Sequence, residues 1–573
     1  MKKWRSHHDA LVDLPSETDL VDIVRNTSNQ TSHFVAENQF NAHVDALEQS
    51  DVANATDTEF KPNYGFYLAF SSLTILAMMV SLDGTSVSVA LPIMAQDLKG
   101  NTTEVFWTGT SYLLTSTVFL LPLGALSHIF GRVPIIIFCD VCFLVGIIIS
   151  SVAKNYVVML LGRSIQGVGG GGIFLLNEVV MTDLVPLRLR GIYTGIIGGV
   201  AALGSVAGPV IGGTLAYKAN WRWIFWILIP FAAASLIIVP LFLRLRPTPG
   251  SMNRKFLRVD WFGNIIMISA TTSFIMPITW GGTQYPWSSW QTLVPLLLGV
   301  AGMTVFCWYE VRVAAEPTIR MSLLRSYNMA YSVFAVFVST VVVYGALYFL
   351  PLYYEVVKSY DPILSGVALF PATFTIAPVS IISGFVIART GDFRVVTWMG
   401  WLATTLGCGI GYLLDVDTTV VEWVFMTLIP GIGLGFLYTS LALINQEASS
   451  EGSMAFAVSL FVFFRSLGQC FGVAISGAAF QNQIGQRLKA IPQVADRAAE
   501  LSVDTAALVQ LIESAPEGEE QRALVQIYAD SLKMVWVAMC ALSGLALVGS
   551  VWIRRASLNR PHQTGQNLID SKR

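Results

Sequence analysis

The sequence predicts an all-α integral membrane protein with about fourteen transmembrane helices. Of its 573 residues, 54% are hydrophobic and 13% are charged, and the mean hydropathy is +0.60. A soluble chain would carry about a quarter charged residues, so most of the predicted surface faces lipid. Runs of about twenty apolar residues, the length that crosses a bilayer, recur almost to the C-terminus.

The apolar runs define the predicted spans and regions. The spans are residues 66–94, 105–127, 133–153, 157–181, 191–217, 222–243, 260–279, 291–310, 330–353, 363–388, 395–414, 420–444, 453–480 and 533–554. The regions are a disordered cytosolic tail at 1–65, a six-helix bundle at 66–243, a linker with two inserted transmembrane helices at 244–329, a second six-helix bundle at 330–554 that includes a long external loop at 481–532, and a cytosolic tail at 555–573.

A weak internal repeat supports the division into two bundles. Residues 124–132 join the second and third spans, and residues 384–394 join the tenth and eleventh. Both loops begin with glycine and end with arginine, and both occupy the same place in their bundle. Parallel repeats of this kind are typical of transporters that work by rocking one bundle against the other.

Lysine and arginine are distributed unevenly between the two sides of the predicted membrane. The richer side carries Arg132, Arg188, Arg190, Arg244, Arg246, Arg254, Lys255, Arg258, Arg312, Arg320, Arg325, Arg389 and Arg394. The other side carries Lys99, Lys154, Lys218, Arg222 and Lys358, and the long loop adds Arg487, Lys489, Arg497 and Arg522. The richer side is expected to be cytosolic, together with both termini. Asn101 then begins the best-placed glycosylation sequon, in the first external loop.

Several function classes are disfavoured. The net charge of −2 gives no reason to expect nucleic-acid binding. No G-x-x-x-x-G-K-[ST], H-E-x-x-H or G-x-S-x-G motif stands at a plausible site. We therefore expect neither a pump driven directly by ATP nor an enzyme, and we expect no cofactor or metal. The cysteines lie in apolar runs and are interpreted as small buried residues: Cys139, Cys142, Cys307, Cys408, Cys470 and Cys540.

A glycine-rich stretch within the fifth span is the most distinctive local pattern. Gly204, Gly208 and Gly212 recur every fourth residue and share one helix face, and Gly213 follows. A face without side chains lets a neighbouring helix approach to backbone contact. Pro209 removes one backbone donor and is expected to kink the helix. The pattern fits a tight structural packing face or a surface that slides during rocking.

Two charges within predicted spans are expected to meet. Arg163 lies about 10 Å from the external end of the fourth span, and Asp83 about 17 Å from that end of the first. A guanidinium stays charged at physiological pH, and burying it is costly unless it is paired or wet. The pair either couples protons to transport or is a static ion pair that holds the bundle together.

Three further charges lie within the predicted spans, where ionisable residues are functional candidates by default. Asp140 is near the cytosolic end of its span and could be interfacial. Glu178 is interpreted mainly as part of a cytosolic charge network with Asp183 and the nearby arginines, with a proton role as the alternative. Arg465 lies deep enough to need a partner, which the sequence does not identify.

Aromatic residues, 12% of the chain, are candidates for a substrate cavity. Phe337, Tyr344 and Tyr348 share one face of the ninth span. An aromatic, weakly polar cavity suits planar lipophilic compounds. The main candidates are Trp107, Tyr112, Tyr344, Tyr348, Phe436, Tyr438 and Phe464.

Five motifs in order make the chain similar to the major facilitator superfamily. More narrowly, residues 66–555 resemble the fourteen-span drug:proton antiporters and their fungal multidrug and mycotoxin efflux branch. The motifs are L-D-G-T at 82–85 followed by A-L-P at 90–92, R-S-I-Q-G-V-G-G at 163–170, the antiporter motif at 204–213, W-R-W-I-F at 221–225 and R-S-L-G-Q at 465–469.

The resemblance implies alternating access between two bundles around a midplane site. It assigns proton coupling to Asp83, Arg163 and Gln166, and a sealing role during rocking to the motif residues Gly204, Gly208, Pro209, Gly212 and Gly213. It also implies a cytosolic gating loop formed by Gly124, His128, Gly131 and Arg132. His128 stands where the family usually has an acidic residue, and Ile129 where it has a basic one. This implies a weaker or pH-sensitive latch, or a surface histidine without a role.

The favoured function is proton-coupled export of amphipathic toxins, drugs or a fungal secondary metabolite by a plasma-membrane monomer. Its partners would be the small-molecule substrate, protons and the bilayer, and no nucleic acid. One alternative is an importer or vacuolar carrier for siderophores or basic amino acids, for which the later spans offer few acids, chiefly Glu310, Glu355 and Glu447 at their edges. The other is a non-transporting membrane nutrient sensor.

Overall fold

The apolar runs fold into helices along the whole described chain. In the computed structural model the described residues are 62, 64–100, 102–282, 284–314, 316–489, 491, 494–503, 505–514, 518–555 and 558. Asn101 and almost all of both predicted tails lie outside these ranges, so the predictions made for them stay predictions.

Twenty-one α-helices follow one another in the described residues. They are α1 (Tyr64–Leu98), α2 (Thr102–Val118), α3 (Leu120–Phe130), α4 (Arg132–Ser151), α5 (Tyr156–Leu184), α6 (Leu187–Lys218), α7 (Trp223–Trp226), α8 (Ile229–Phe242), α9 (Met252–Arg258), α10 (Trp261–Trp280), α11 (Trp290–Arg312), α12 (Tyr327–Leu352), α13 (Pro362–Ala368), α14 (Phe370–Thr373), α15 (Ile376–Thr390), α16 (Arg394–Gly411), α17 (Val420–Glu447), α18 (Met454–Leu488), α19 (Ala498–Val503), α20 (Thr505–Ser514) and α21 (Glu519–Ser550). A π-helical turn, Tyr353–Val357, extends α12.

The predicted all-α membrane fold is confirmed, and the span count agrees approximately. Within the described residues, 12 helices are long and apolar enough to cross a membrane, and 13 spans result when α2 and α3, bent by 43°, count as one. Helix α16, with 18 residues, occupies the place of the eleventh predicted span. The described part of the chain contains no β-strand, only isolated bridge residues: Leu245, and Gly281 paired with Tyr285.

Long helix pairs organise the packing. In the first half α1 lies along α6 and α4 lies along α5, and in the second half α12 lies along α18 and α16 along α17. Helices α10 and α11 pack mainly on each other. We call α1–α8 the first bundle, α12–α21 the second bundle, and α10–α11 the inserted pair. The domain boundaries themselves stay a prediction.

The halves approach each other closely at two equivalent places. A Cβ on Gly384 of α15 would lie 2.5 Å from the Gly191 carbonyl carbon of α6, and a Cβ on Gly124 of α3 would lie 3.1 Å from the Ser459 Cβ of α18. In each contact the second span of one bundle meets the fifth span of the other. The contacts therefore follow the internal repeat that the sequence indicates.

Both contacts lie toward the side that carries most of the loop arginines, which we call the basic side. Here the Arg188 Nε donates to the Ala388 carbonyl across the bundles at 2.9 Å. The Arg190 guanidinium donates to the Thr182 carbonyl and approaches the Gln446 Oε1 of the second bundle at 3.5 Å. The bundles are thus joined at the basic side in this conformation.

The predicted long loop at 481–532 is largely helical. Helix α18 continues to Leu488 and α21 already begins at Glu519, with α19 and α20 between them. Its apolar side chains form a buried cluster with the ends of the neighbouring spans. An ion pair of 2.6 Å between Arg487 and Asp530 joins the two long helices. Amphipathic helices rather than irregular backbone thus fill this segment.

Candidate functional site

A buried ion pair joins α1 and α5 inside the first bundle. The Arg163 Nη1 donates to both carboxylate oxygens of Asp83, at 3.1 and 2.9 Å. The same nitrogen donates to the Gln166 Oε1 at 2.9 Å, and the Nε donates to the Thr108 carbonyl at 3.3 Å. Arg163 is 1% exposed, and Asp83 and Gln166 are 0% exposed. The structure thus brings together the three residues to which the resemblance assigns proton coupling.

A glycine in α5 allows the close helix packing that positions Arg163. The Asn155 side chain caps the helix start by accepting from the Val158 N–H. Downstream, Gly167 faces the backbone of Tyr112 so closely that a Cβ would overlap its carbonyl oxygen. Helix α2 therefore lies against α5, and the Tyr112 ring covers the Arg163 guanidinium at 4.4 Å from Cζ. The Gln166 Nε2 is buried and has no hydrogen-bond partner in the described structure.

The antiporter-motif glycines pack on α1 beside this pair. A Cβ on Gly204 would lie 2.7 Å from the Met78 carbonyl oxygen, and one on Gly208 would lie 3.0 Å from the Leu82 oxygen. Gly212 likewise faces Ser86. Three successive turns of α6 thus contact the backbone on both sides of Asp83, as a small-residue face allows.

This placement differs from the expectation that residues 204–213 seal the two bundles against each other. Their glycine face lies within the first bundle, and α6 runs through Pro209 as one continuous helix. Gly213 approaches the Val89 side chain of α1, and a Cβ added to this glycine would lie 3.2 Å from the Val89 Cγ1. The cross-bundle contact belongs to the earlier turns of α6, where Gly191 meets α15.

A second charge pair crosses between the bundles. The Arg465 Nη1 of α18 lies 3.9 Å from the Glu178 Oε1 of α5. The Arg465 Cζ lies 5.0 Å from the centre of the Phe174 ring and 4.5 Å from that of Tyr438. Glu178 thus supplies the partner of Arg465 that the sequence leaves open. The interpretation of Glu178 as part of the loop charge network is wrong, because it faces the other bundle.

The residue after Arg465 adds a hydrogen bond between the bundles. The Ser466 hydroxyl lies 2.8 Å from the Thr117 hydroxyl of α2, and both groups are buried. Sequence reasoning missed Thr117 and Phe174, because serine, threonine and phenylalanine are ordinary residues of membrane helices.

The Asp140 side chain is buried and not interfacial. It is 1% exposed, and the Ser235 hydroxyl of α8 donates to its Oδ2. In the described part of the chain Asp140 forms no ion pair, and its Oδ1 has no hydrogen-bond partner. The eight residues that precede it in α4 carry it about 12 Å into the span, because each residue rises about 1.5 Å.

The predicted gating loop forms a charged turn on the basic side. Gly131 has a φ of 102° between α3 and α4, which only glycine adopts readily. The Arg132 Nε donates to the Asp183 Oδ2 at 3.2 Å, and its Nη1 donates to the Ser127 hydroxyl at 3.1 Å. Gly391, at a φ of 70°, ends α15 at the equivalent place in the second half.

His128 lies against the second bundle. Its ring meets the Phe456 ring edge-on at 5.0 Å, and the Arg320 guanidinium covers the same ring at 4.6 Å. The family's acidic residue is thus replaced by an aromatic contact between the halves. His128 is half-buried, so it is not a free surface residue.

The predicted cavity aromatics divide into two groups. The Tyr112 ring covers Arg163 and the Tyr438 ring covers Arg465, and Tyr344 is a neighbour of both Tyr112 and Arg465. The others lie apart: Trp107 packs edge-on against Trp280 of the inserted pair, Tyr348 is 57% exposed, and Phe436 and Phe464 pack against the hydrophobic core.

A small apolar cavity elsewhere is not a substrate site. It has a volume of about 40 Å³ inside the second bundle and is lined by residues such as Val342, Cys408 and Trp536. Drug-sized ligands need cavities of roughly 300–1,000 Å³. None of the predicted cavity aromatics lines it.

The remaining candidate residues have mainly structural roles. Glu310 accepts backbone N–H bonds from Thr318 and Ile319, which closes the turn after α11. All six cysteines are free thiols; Cys307 of α11 is exposed on the helix surface, so its prediction as a buried residue is wrong. The described residues contain no group of three or more His, Cys, Asp or Glu placed to hold a metal ion.

Comparison with solved structures agrees with this architecture. The human organic anion transporter MFSD10 superposes with a TM-score of 0.53 at 13% identity, over 85% of this chain and 100% of that one. The proton:xylose symporter XylE superposes with a TM-score of 0.55 at 11% identity, over 87% and 97%. At these identities the likeness establishes the fold alone.

Comparison of sequences identifies the family. The chain is 45% identical to the MFS transporter L2 of Phoma sp. over 86% of this chain and 83% of that one. It is 33% identical to the efflux pump FUS6 of Gibberella moniliformis, over 92% and 94%. It is 34% identical to the acurin A biosynthesis cluster MFS-type transporter of Aspergillus aculeatus, over 85% and 89%. The sequence profile of the Major Facilitator Superfamily matches residues 73–473. The chain therefore belongs to the major facilitator superfamily, among its fungal efflux transporters.

Proposed function

We propose that this transporter exports an amphipathic organic compound in exchange for protons. The observation that carries the proposal is the fully buried Asp83–Arg163 pair inside a membrane-spanning bundle. Ionisable groups in such positions are costly, and a proton pathway is one of their recurring uses. Relatives named as efflux pumps support the outward direction.

The pair can exchange a proton because its two members respond differently to one. A guanidinium keeps its charge at any physiological pH, so the carboxylate of Asp83 is the member that takes up the proton. A protonated Asp83 loses its electrostatic hold on Arg163, and the side chains of Gln166 and Tyr112 are in place to receive that guanidinium. Proton uptake thus becomes a movement of a charged side chain.

The contacts at the basic side supply the second half of the proposal. With that side cytosolic, the structure represents a conformation closed toward the cytosol, in which Arg188 and Gly191 hold the second bundle. Opening toward the cytosol requires these contacts to separate, as in alternating access. We assign the protein to the plasma membrane as a monomer, with both termini cytosolic.

The test is the accumulation of fluorescent lipophilic compounds in a pump-deficient yeast that expresses the chain. Export predicts lower accumulation than in cells with an empty vector, and a return to the control level when a protonophore is added. Arg163→Ala at equal surface expression should abolish the effect, since it leaves the Asp83 carboxylate without its partner.

The matched control is Arg258→Ala, which removes an arginine from an exposed ion pair with Glu316 at 2.6 Å and should export normally. Export that persists after dissipation of the proton gradient would rule out proton coupling. Higher accumulation than in the vector control would reverse the direction and favour an importer. Signalling in response to a compound without its transport would favour a sensor.

A further inference from the structure

Arg163 and Arg465, which both lie within the spans, have opposite surroundings. Arg163 makes four hydrogen bonds to the protein, two of them to one carboxylate, and its side chain is 2% exposed. Arg465 approaches its carboxylate only to 3.9 Å, beyond hydrogen-bond length, and its side chain is 19% exposed. Arg163 is thus held tightly within its own bundle, whereas Arg465 has no close carboxylate bond and lies where the two bundles meet.

The surroundings of Arg465 come from both bundles. Phe174 belongs to the first bundle and Tyr438 to the second, and both rings lie within about 5 Å of its Cζ. The Tyr438 ring also packs against Gly198 of α6, where an added Cβ would lie 2.7 Å from the ring. Tyr344 and Tyr438 are its polar neighbours, and both are neutral hydroxyls at physiological pH. Glu178 is therefore its one acidic neighbour among the described residues.

We propose that Arg465 binds the carboxylate of an amphipathic organic acid, and that Glu178 occupies this position when no substrate is bound. A guanidinium is the side chain best matched to a carboxylate, because its planar fork donates two parallel N–H bonds. The Phe174 and Tyr438 rings would hold the apolar body next to that group. The proposal rests on the proposed export function and narrows its substrates to organic anions.

The loose Glu178 contact is the detail that favours a binding site over a structural pair. A structural ion pair in a dry interior needs short hydrogen bonds to offset the desolvation of both charges. At 3.9 Å the Glu178 carboxylate is near enough to neutralise Arg465 but forms no hydrogen bond with it, so a ligand carboxylate that does form hydrogen bonds can displace it. Proton coupling stays with Asp83 in this scheme. An anion on Arg465 and a proton on Glu178 would favour each other's binding, which is the opposite of what exchange requires.

The test is a binding measurement on the purified full-length protein in nanodiscs, with no ion gradient. The probes are 1-pyrenebutyrate and its uncharged analogue 1-pyrenebutanol, detected by quenching of tryptophan fluorescence after subtraction of protein-free nanodiscs. We expect the acid to bind at least tenfold more tightly than the alcohol. Arg465→Gln should bring the two affinities within twofold, and Arg465→Lys should keep part of the difference.

Glu178→Gln separates this proposal from a structural role. Removal of a competing carboxylate should strengthen binding of the acid by threefold or more and leave the alcohol unchanged, whereas loss of a structural partner would weaken both. Arg258→Gln is the matched control and should resemble the parent. Equal affinities for acid and alcohol in the parent, no binding of the acid, or an unchanged preference in Arg465→Gln would each overturn the proposal. Anion binding without proton-driven export would refute the proposed function alone.

Discussion

Removal of either member of the Asp83–Arg163 pair should destabilise the protein strongly, and removal of both should cost clearly less than the sum of the two single losses. Arg163→Gln leaves a buried carboxylate without its cation, and Asp83→Asn leaves a buried guanidinium without its anion. Breaking a buried pair from one side costs about 3–5 kcal/mol, because the remaining charge stays desolvated. The double variant replaces both charges by neutral amides that can hydrogen-bond to each other, so we expect a favourable coupling energy of about 2–3 kcal/mol.

The two single variants should differ in their pH dependence. The carboxylate left by Arg163→Gln can become neutral by taking up a proton, so its destabilisation should shrink between pH 8 and pH 5. The guanidinium left by Asp83→Asn cannot lose its charge, so its destabilisation should be constant over that range. The four hydrogen bonds that Arg163 makes, and the absence of water-accessible surface on Asp83, are the structural reasons for expecting large effects.

The assay is thermal unfolding of the purified protein in detergent, followed by intrinsic fluorescence at several pH values. The exposed Arg258–Glu316 pair supplies a matched cycle, for which the coupling should not exceed about 1 kcal/mol. Additive losses in the Asp83→Asn/Arg163→Gln variant, or single losses no larger than those of the exposed pair, would show that the charges do not depend on each other. The assignment of proton exchange to this pair would then lose its basis.

Three further predictions follow from individual contacts. Gly384→Val should lower transport several-fold at equal expression, because its Cβ would meet the Gly191 carbonyl; normal transport would show that this closed contact is dispensable. Hydrogen bonds from the Trp221 indole and a neighbouring arginine lower the pKa of Asp97, so this carboxylate stabilises the fold above its unfolded pKa of about 3.8 and the contribution disappears as pH falls through its lower folded pKa. Because Asp97 is about half exposed, Asp97→Asn should cost no more than about 0.5 kcal/mol at pH 7 and progressively less as the pH is lowered below 3.8 in a thermal unfolding series. Asp140→Asn should keep transport within about twofold, since no ion pair holds this carboxyl in the described structure; complete loss in the yeast accumulation assay would instead make it a proton site.

The pairing of Asp83 with Arg163 was within reach of the sequence because both depths follow from the helical rise. Each residue has a fixed height once its span is placed, and a charge at that height needs a partner. Within one bundle few other ionisable groups have a similar height. The agreement between the predicted and the observed pair therefore depends on span placement and on the cost of burying a charge, and no knowledge of the tertiary packing is needed.

The partner of Arg465 could not be predicted by the same reasoning. Its height is known, but Glu178 lies in the other bundle, and the relative position of the bundles depends on the conformation of the transporter. The sequence neighbours of Glu178 include Asp183 and Arg190, which favoured a local network. A contact that depends on how two rigid bodies meet leaves no periodic signal in either segment.

The glycine motif shows the same limit from another side. The spacing of Gly204, Gly208 and Gly212 predicts a helix that approaches to backbone contact, and α1 is that helix. The spacing does not say whether the neighbour belongs to the same bundle. A second run on the same helix, Gly191, Gly195 and Gly199, has the same spacing and faces α15 of the other bundle, where Gly191 meets Gly384.

The location of the two charge pairs constrains the proposed coupling of protons to substrate. Both Asp83 and Arg163 belong to the first bundle, so rigid rocking leaves their separation unchanged. The arginine is therefore not withdrawn from Asp83 by rocking itself, and in the proposed mechanism a local event, proton uptake by the carboxylate, releases it. The Glu178–Arg465 contact spans the two bundles and has to change when they separate.

Helix α5 connects these two events, because it carries Arg163 and Glu178 fifteen residues apart, about 22 Å along its axis. Tyr112, whose ring covers Arg163, and Tyr344, near Arg465, are neighbours across the gap between the bundles. A guanidinium that moved away from Asp83 would leave the Tyr112 ring and so change the packing of Tyr344 beside Arg465. In the proposed exchange, proton uptake inside one bundle would in this way alter the contact between the two, which a pair of rigid bodies with independent sites would not allow.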